Sequence, residues 1–265
     1  MRRVGIYPGI SAEEYHGIDA VSNSYLSKLS HIPAKAKIKQ DDTPAFLFGR
    51  AFHCLILEGM ETFSSLFAIS PDIDKRTKDG KLEYAKFQSE NDGKGIISKD
   101  EYEVMIEMVN ALLKHPFAAK VLCEGRSEQS VFWNDKDTGL YCKCRPDRIP
   151  EGDHGVILDI KTTTDATQSA FTRSVVNYGY HRQAAFYIDG FNAVNNAVVD
   201  AFVFIAVEKE PPYAVGCYTL SDVDIEVGRI RYKALMAKEI ECQKIQEWPN
   251  YESEGLIELN LPNWA

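Results

Sequence analysis

The sequence predicts an α/β fold in which a mixed central β-sheet is flanked by helices, and three observations lead there. Residues 157–163, Ile-Leu-Asp-Ile-Lys-Thr-Thr, alternate apolar and polar side chains near the strand period of two. Residues 197–207 form an apolar run broken only by Asp200, the pattern of a strand buried on both faces. Segments with the helical period lie before, between and after them, so the element order reads α, α, βββ, α, α, β, β, α.

With 265 residues and 45% hydrophobic content the chain can bury a sizeable core, and nothing in the composition marks a fibrous or disordered protein. One elaborated domain is expected over 1–265, with a helical part to about 125, a sheet core over about 126–221 and a C-terminal helix and tail over 222–265. No stretch approaches the roughly 20 apolar residues that span a bilayer, and Met1-Arg2-Arg3 leads into no apolar run. A soluble, cytoplasmic protein without membrane association is therefore expected. The six cysteines are scattered, and Cys142-Lys143-Cys144 has no second pair, which argues for reduced thiols and against zinc or iron–sulfur. The formal charge of −9 argues against a generally nucleic-acid-binding exterior. It leaves room for a basic groove, because Lys35, Lys37 and Lys39 form one run and Lys75, Arg76, Lys78 and Lys81 another.

Ser22-Asn23-Ser24 offers capping side chains to a short helix that Pro33 ends or bends. Residues 44–58 read as an apolar helix closed by Gly59. Residues 70–95 are a polar excursion with turn signals at Asp79-Gly80 and Asp92-Gly93 and a helical piece near 83–89. Ser98-Lys99-Asp100-Glu101 is a capping box for a helix to Lys114 whose apolar face is Met105, Met108, Val109 and Leu112. Strands follow at 130–133, 140–145 and 156–162, read as a three-stranded meander with a turn at 135–139. Helices are expected over 164–176 and 180–191, strands over 197–207 and 213–220, and a long helix over 222–246 with Ile230, Ala234, Ala237 and Ile240 on its apolar side.

The chemistry concentrates around residues 147–161. Period two puts Asp159 and Lys161 on one strand face while Leu158 and Ile160 point into a core. Asp147 lies twelve residues earlier, a gap that fits a hairpin looping through 150–155, so two carboxylates and an ammonium meet at one sheet end. Such a cluster suits a hard divalent cation that keeps positions open for water and phosphate. His53 shares a helix face with Gly49, Ile56 and Leu57 and points inward; taken alone, it reads as a hydrogen-bonded core histidine. Gln183 and Tyr187 are one helical turn apart, on a face with Tyr180, where an amide and a phenol could orient Lys161 or hold a phosphate.

His53, Asp147, Asp159-Ile160-Lys161 and Gln183-x-x-x-Tyr187 stand in the order of the PD-(D/E)XK nucleases that carry a histidine before the core. The wording Gly49-Arg50-Ala51-Phe52-His53, Ser130-Val131-Phe132-Trp133, Cys144-Arg145-Pro146-Asp147 and Leu158-Asp159-Ile160-Lys161-Thr162-Thr163 resembles the exonuclease VIII (RecE-type) nuclease domain. The likeness runs from the Ser22 helix to the 197–207 strand.

The resemblance implies a restriction-endonuclease-like core. It implies Mg²⁺ held by His53, Asp147, Asp159 and the Ile160 carbonyl, with Mn²⁺ as a substitute. Catalytic roles fall to Asp147, Asp159, Lys161, Gln183 and Tyr187, with Lys161 positioning or deprotonating the attacking water. Gln183, Tyr187, Arg76 and Lys78 are candidates for DNA contacts. The three closely spaced C-terminal cysteines of cluster-bearing relatives are missing, since only Cys242 lies there, so no iron–sulfur cluster is expected. The implied activity is an ATP-independent exonuclease that degrades one strand of duplex DNA ends from 5′ to 3′. It would work as a ring-shaped homotetramer beside a single-strand annealing (RecT-like) protein. Other PD-(D/E)XK activities, an endonuclease or a single-strand exonuclease, and a non-catalytic DNA-binding scaffold of the same fold are the alternatives.

Overall fold

The structure is a computed structural model, described here for residues 3–38, 43–123, 125–149, 154–195, 198–251, 255–256 and 258–261. A short strand, β1 (Gly5–Tyr7), precedes helices α1 (Ala12–Gly17), α2 (Asn23–His31) and α3 (Pro33–Ala36). The Ser11 and Ser22 side chains cap the first two by accepting from backbone N–H groups three residues on, as Ser22 is expected to do. Helix α4 (Pro44–Leu57) begins with the Thr43 cap and Pro44 in its first turn, and α5 (Gly59–Leu66) follows.

The polar excursion is bracketed by two strands that the sequence does not announce, β2 (Phe67–Ile69) and β3 (Gly95–Ile97), paired in parallel. Its helix, α6 (Lys78–Glu90), starts earlier than expected, because Thr77 caps it and draws Asp79-Gly80 into the first turn. The Ser98 capping box is formed as predicted and opens α7 (Lys99–Lys114), after which comes α8 (Pro116–Cys123). The strands β4 (Arg126–Ser127), β5 (Ser130–Asn134), β6 (Tyr141–Cys144), β7 (Arg148–Ile149) and β8 (His154–Thr163) come next. Helices α9 (Gln168–Tyr178) and α10 (Tyr180–Val194), strands β9 (Val198–Glu208) and β10 (Val215–Thr219) and helix α11 (Asp222–Ile245) complete the chain.

The central sheet has the order β10-β9-β8-β7-β4. Only β8 and β9 run parallel, joined through α9 and α10, so the sheet is mixed, in a restriction-endonuclease-like arrangement. A second sheet, β1-β5-β6, is antiparallel. The expected meander is therefore corrected: 140–145 does not pair with 156–162. The hairpin β5–β6 bends at 128–129 and 145–147 and re-forms as β4–β7, and β7 then meets β8 at Arg148 and Leu158. One register runs through the bend, pairing Asn134 with Tyr141 on one side and Ser127 with Arg148 on the other. The expected hairpin loop lies, for residues 150–153, outside the described residues.

Alternation along β8 and β9 separates two cores. Leu158, Ile160, Val203, Ile205 and Val207 face α4, α7 and α8, where Phe52, Met105, Met108 and Leu112 are fully buried. Ile157, Phe202, Phe204 and Ala206 face α9, α10 and α11. Each such fully buried aliphatic or phenyl side chain contributes about 1.5–3 kcal/mol relative to exposure, which fixes the face of β8 that carries Asp159 and Lys161. The apolar side expected for α11 is wrong. Ile230 is 62% exposed, and the helix buries Ile225, Gly228, Tyr232, Met236 and Cys242 instead. The cause is a close approach: a Cβ on Gly228 would fall 2.0 Å from the His181 carbonyl oxygen, so α10 seats on the glycine side. Among the described residues no helix is long and apolar enough to cross a membrane.

Candidate active site

The bend in the hairpin places two carboxylates opposite each other. Asp147 lies between β6 and β7, and Glu128 between β4 and β5, where the continuous register puts them face to face. The Glu128 N–H donates to the Asp147 carbonyl at 3.2 Å. Glu128 has φ of 51°, a left-handed conformation that costs a non-glycine residue about 1 kcal/mol or more, and it is the residue at which this strand passes between sheets.

Strand β8 presents the remaining acid. Asp159 is 4% exposed on the α10 face and Asp147 is 6% exposed. The Ile160 N–H donates to Asp147 Oδ2 at 2.6 Å. Because the N–H and C=O of a strand residue leave on the same side, the Ile160 carbonyl faces the same edge. From α4, His53 Nδ1 approaches Asp147 Oδ1 to 3.2 Å; the histidine is half-buried and hydrogen-bonded, and the partner it meets is one of the cluster's carboxylates. One ligand atom each from His53, Glu128 and Asp147 lies within 4.8 Å of the others, so these residues could hold a metal ion.

Lys161 forms an ion pair with Asp159 Oδ2, and its ammonium sits 4.5 Å from the centre of the Tyr180 ring. Gln183 bridges the pair. Its Nε2 donates to Asp159 Oδ1 at 2.7 Å and its Oε1 accepts from Lys161 Nζ at 3.1 Å. The amide thus fixes both charged groups of β8 from the first turn of α10. Tyr187, one turn on, packs edge-on against Phe202, and burial pushes its phenol well above the ordinary range. Among the described residues no hydrogen bond links Tyr187 to the cluster. Arg76 and Lys78 are exposed on the excursion; Arg76 Nε lies 3.8 Å from Asp74, and among the described residues no hydrogen bond or ion pair ties either to the cluster.

The electrostatics follow from crowding. Burial raises the Asp159 carboxyl against the opposing pull of Lys161. Burial is the largest influence on Asp147 and raises it, but His53, Lys161 and the Ile160 N–H together outweigh it and hold this carboxyl below its usual range. Conversely, burial would lower His53, and the Asp147 carboxylate reverses this and pushes it up to about 9. Burial and the Asp147 charge push Glu128 up to about 8. Burial pulls Lys161 down, but Asp159, Tyr180 and Asp147 together hold it above the ordinary lysine range. Asp147 thus acts on Glu128 on one side and on Asp159 on the other, and both of these carboxyls are pushed toward the neutral form, the condition that a divalent cation relieves. The donor set of one imidazole and carboxylate oxygens fits a hard or borderline divalent ion.

The sequence reading does not include Glu128. The signal was available in the strand pairing, because extending the 130–134/141–144 register by three residues sets Glu128 against Asp147.

A family described as "PDDEXK-like domain of unknown function (DUF3799)" matches residues 20–258. Among solved structures, the chain is similar to a protein of Eubacterium rectale described as a proposed exonuclease, with a TM-score of 0.65 at 12% identity over 96% of both chains. An alkaline exonuclease (LHK-Exo) of Laribacter hongkongensis matches 89% of this chain and 96% of its own length, at 12% identity and a TM-score of only 0.33. No curated protein matches the sequence.

Proposed function

The chain belongs to the PDDEXK-like DUF3799 family, and from that premise and the geometry around Asp159 we propose that it is a Mg²⁺-dependent nuclease. The observation that carries the reading is the joining of Asp147, Asp159 and Lys161 at one sheet end, with His53 and Glu128 on the open side and Gln183 locking the Asp–Lys pair. His53, Glu128, Asp147, Asp159 and the Ile160 carbonyl would hold the cation. When bound, Mg²⁺ or Mn²⁺ supplies charge neutralisation of the scissile phosphate and acidification of a water molecule. Lys161, kept protonated by Asp159, donates to the attacking water or a phosphate oxygen and stabilises charge that develops there. Gln183 keeps that ammonium in one place. Water adds to phosphorus and one phosphoester bond breaks, with no nucleotide cofactor involved.

The exonuclease assignment, with 5′-to-3′ degradation of one strand of a duplex end, rests on the sequence likeness to RecE-type domains. So do a tetrameric ring, a RecT-like annealing partner and a role in recombination, whereas a cytoplasmic location rests on the scattered cysteines. The E. rectale protein's description agrees with the exonuclease class. Duplexes labelled at the 5′ or the 3′ end, digested beside a covalently closed circle, test it. Label release from 5′ ends of linear DNA with the circle intact is expected; cutting of the circle overturns the exonuclease reading.

A further inference from the structure

A cavity of about 310 Å³ opens between α2, the corner joining α9 to α10, and α11. Its lining includes Ser27 and His31 from α2, Tyr178, His181 and Arg182 from the corner, and Arg231 from α11. Arg182 is only 7% exposed. Its Nε donates to Asn23 Oδ1 at 3.1 Å, but its Nη2 is buried with no hydrogen-bond partner. His181 is 6% exposed; its Nδ1 donates to the Val175 carbonyl at 3.2 Å, which leaves the buried Nε2 an acceptor without a partner, so the imidazole adds no donor for an anion.

Arg231 is a second guanidinium close enough to oppose the charge on Arg182, whose pKa is lowered by burial first and then by Arg231. Among the described residues neither arginine has a carboxylate within ion-pair distance. An arginine cannot shed its proton to escape burial, so a buried, half-satisfied guanidinium facing another is a large cost unless an anion completes it. The N-terminal end of α10 and the C-terminal end of α9 meet at this corner on the shared Gly179, so their dipoles offset and the guanidinium groups carry the attraction for an anion. Gly179 adopts φ of 68°, and a Cβ there would lie 3.0 Å from the Arg182 guanidinium carbon, so the turn lets the side chain fold back over it.

This corner is joined to the catalytic cluster through the first turn of α10. Tyr180, whose ring underlies Lys161, precedes His181 and Arg182, and Gln183 follows them. We propose that the cavity is a phosphate-binding site that takes a backbone phosphate of the nucleic-acid strand entering the active site, an inference that rests on the nuclease reading above. Planar guanidinium groups recognise phosphate through paired hydrogen bonds, and the Ser27 and His31 side chains add further polar contacts. A released nucleoside monophosphate offers the same chemistry.

The test begins with inorganic phosphate as the probe and metal-free protein. Phosphate should raise the melting temperature over chloride of equal ionic strength, and Arg231→Gln, an exposed substitution that leaves the fold intact, should require about tenfold more phosphate for the same shift. Equal shifts in the parent and Arg231→Gln overturn the site. Arg182→Gln, if it folds, should lose the shift altogether. Anisotropy of a labelled duplex with Ca²⁺ in place of Mg²⁺ should show about tenfold weaker binding by Arg231→Gln. An unchanged duplex affinity, with phosphate binding lost and a nucleoside monophosphate still competing in the parent, overturns the strand assignment in favour of released product. Because every arm reads binding, a parent protein that binds phosphate but digests no DNA would sink the nuclease reading and leave the anion site standing.

Discussion

Glu128 and Asp147 are bound to each other through the backbone, the N–H of the first donating to the carbonyl of the second at 3.2 Å, at the point where a single hairpin register leaves one sheet and enters another. Their side chains are therefore set by strand pairing and not by loop conformation. The left-handed φ of 51° at Glu128 is maintained by pairing on both sides of the bend, β4 with β7 and β5 with β6. A strained acidic residue fixed opposite a second acid indicates a site built to hold positive charge.

Substitution at Glu128 separates backbone from carboxylate. Glu128→Gly should fold at least as well as the parent in the left-handed turn, since glycine adopts positive φ freely, gaining up to about 1 kcal/mol. Removing the carboxylate should nevertheless weaken Mg²⁺ binding by about 10- to 100-fold and lower activity at limiting Mg²⁺. Glu128→Gln should show the same metal defect. Melting curves and Mg²⁺ titrations of nuclease activity check both. Normal Mg²⁺ dependence in either variant would remove Glu128 from the ligand set.

The pH dependence of the metal-free protein should run downward on the alkaline side. His53 has its pKa raised to about 9, so its contribution is fully present below the unfolded value near 6.5 and is lost as pH rises through about 9. Glu128, raised to about 8, destabilises the fold progressively as pH climbs from about 4.5 to about 8. Both signs agree: the melting temperature in EDTA should fall between about pH 6.5 and 9. Cation binding needs neutral His53 and ionised Glu128, so Mg²⁺ affinity should rise over the same window, with proton release measurable by calorimetry in buffers of different ionisation enthalpy. A flat melting temperature and flat affinity would contradict the coupling between these groups.

What the sequence reveals of this molecule depends on segment length. β8, β9, α7 and α10 carry enough residues for a period to emerge, and α7 adds its capping box. Strands of two or three residues, such as β1, β4 and β7, carry no period, and only pairing with distant partners makes them strands. The site divides similarly. Asp159 and Lys161 are legible as alternation, whereas Glu128 is visible only through the register of the bend. His53 is ambiguous on its helix because the partner that defines it, Asp147, is 94 positions away.

Lys161 should prove both structural and functional. Lys161→Met leaves Asp159 buried beside Asp147 without its cation, a loss of about 3–5 kcal/mol in metal-free protein. Mg²⁺ should restore part of that stability, because the ion supplies the missing positive charge, so the Mg²⁺-induced rise in melting temperature should exceed the parent's. Activity should remain about 10²- to 10⁴-fold down even with saturating Mg²⁺. Full activity in the Mg²⁺-stabilised variant would reduce Lys161 to a structural counter-charge.

Gln183 and Tyr187 lie one turn apart on α10, yet the structure gives them different work, and substitution should separate them. Gln183→Leu removes both the donor to Asp159 and the acceptor from Lys161, leaving two buried charges less well held. Activity should fall by about tenfold or more, and stability by about 1–3 kcal/mol. Gln183→Glu adds a carboxylate beside Asp159 and replaces its donor with an acceptor, so in metal-free protein it should be the more destabilising of the two. Tyr187→Phe keeps the ring that packs on Phe202 and deletes only a hydroxyl without a hydrogen bond among the described residues. It should therefore fold normally. Activity on a short phosphodiester substrate should match the parent; a loss confined to long duplexes would assign the phenol to the DNA strand. A Tyr187→Phe defect as deep as that of Gln183→Leu on the short substrate would overturn this division of roles.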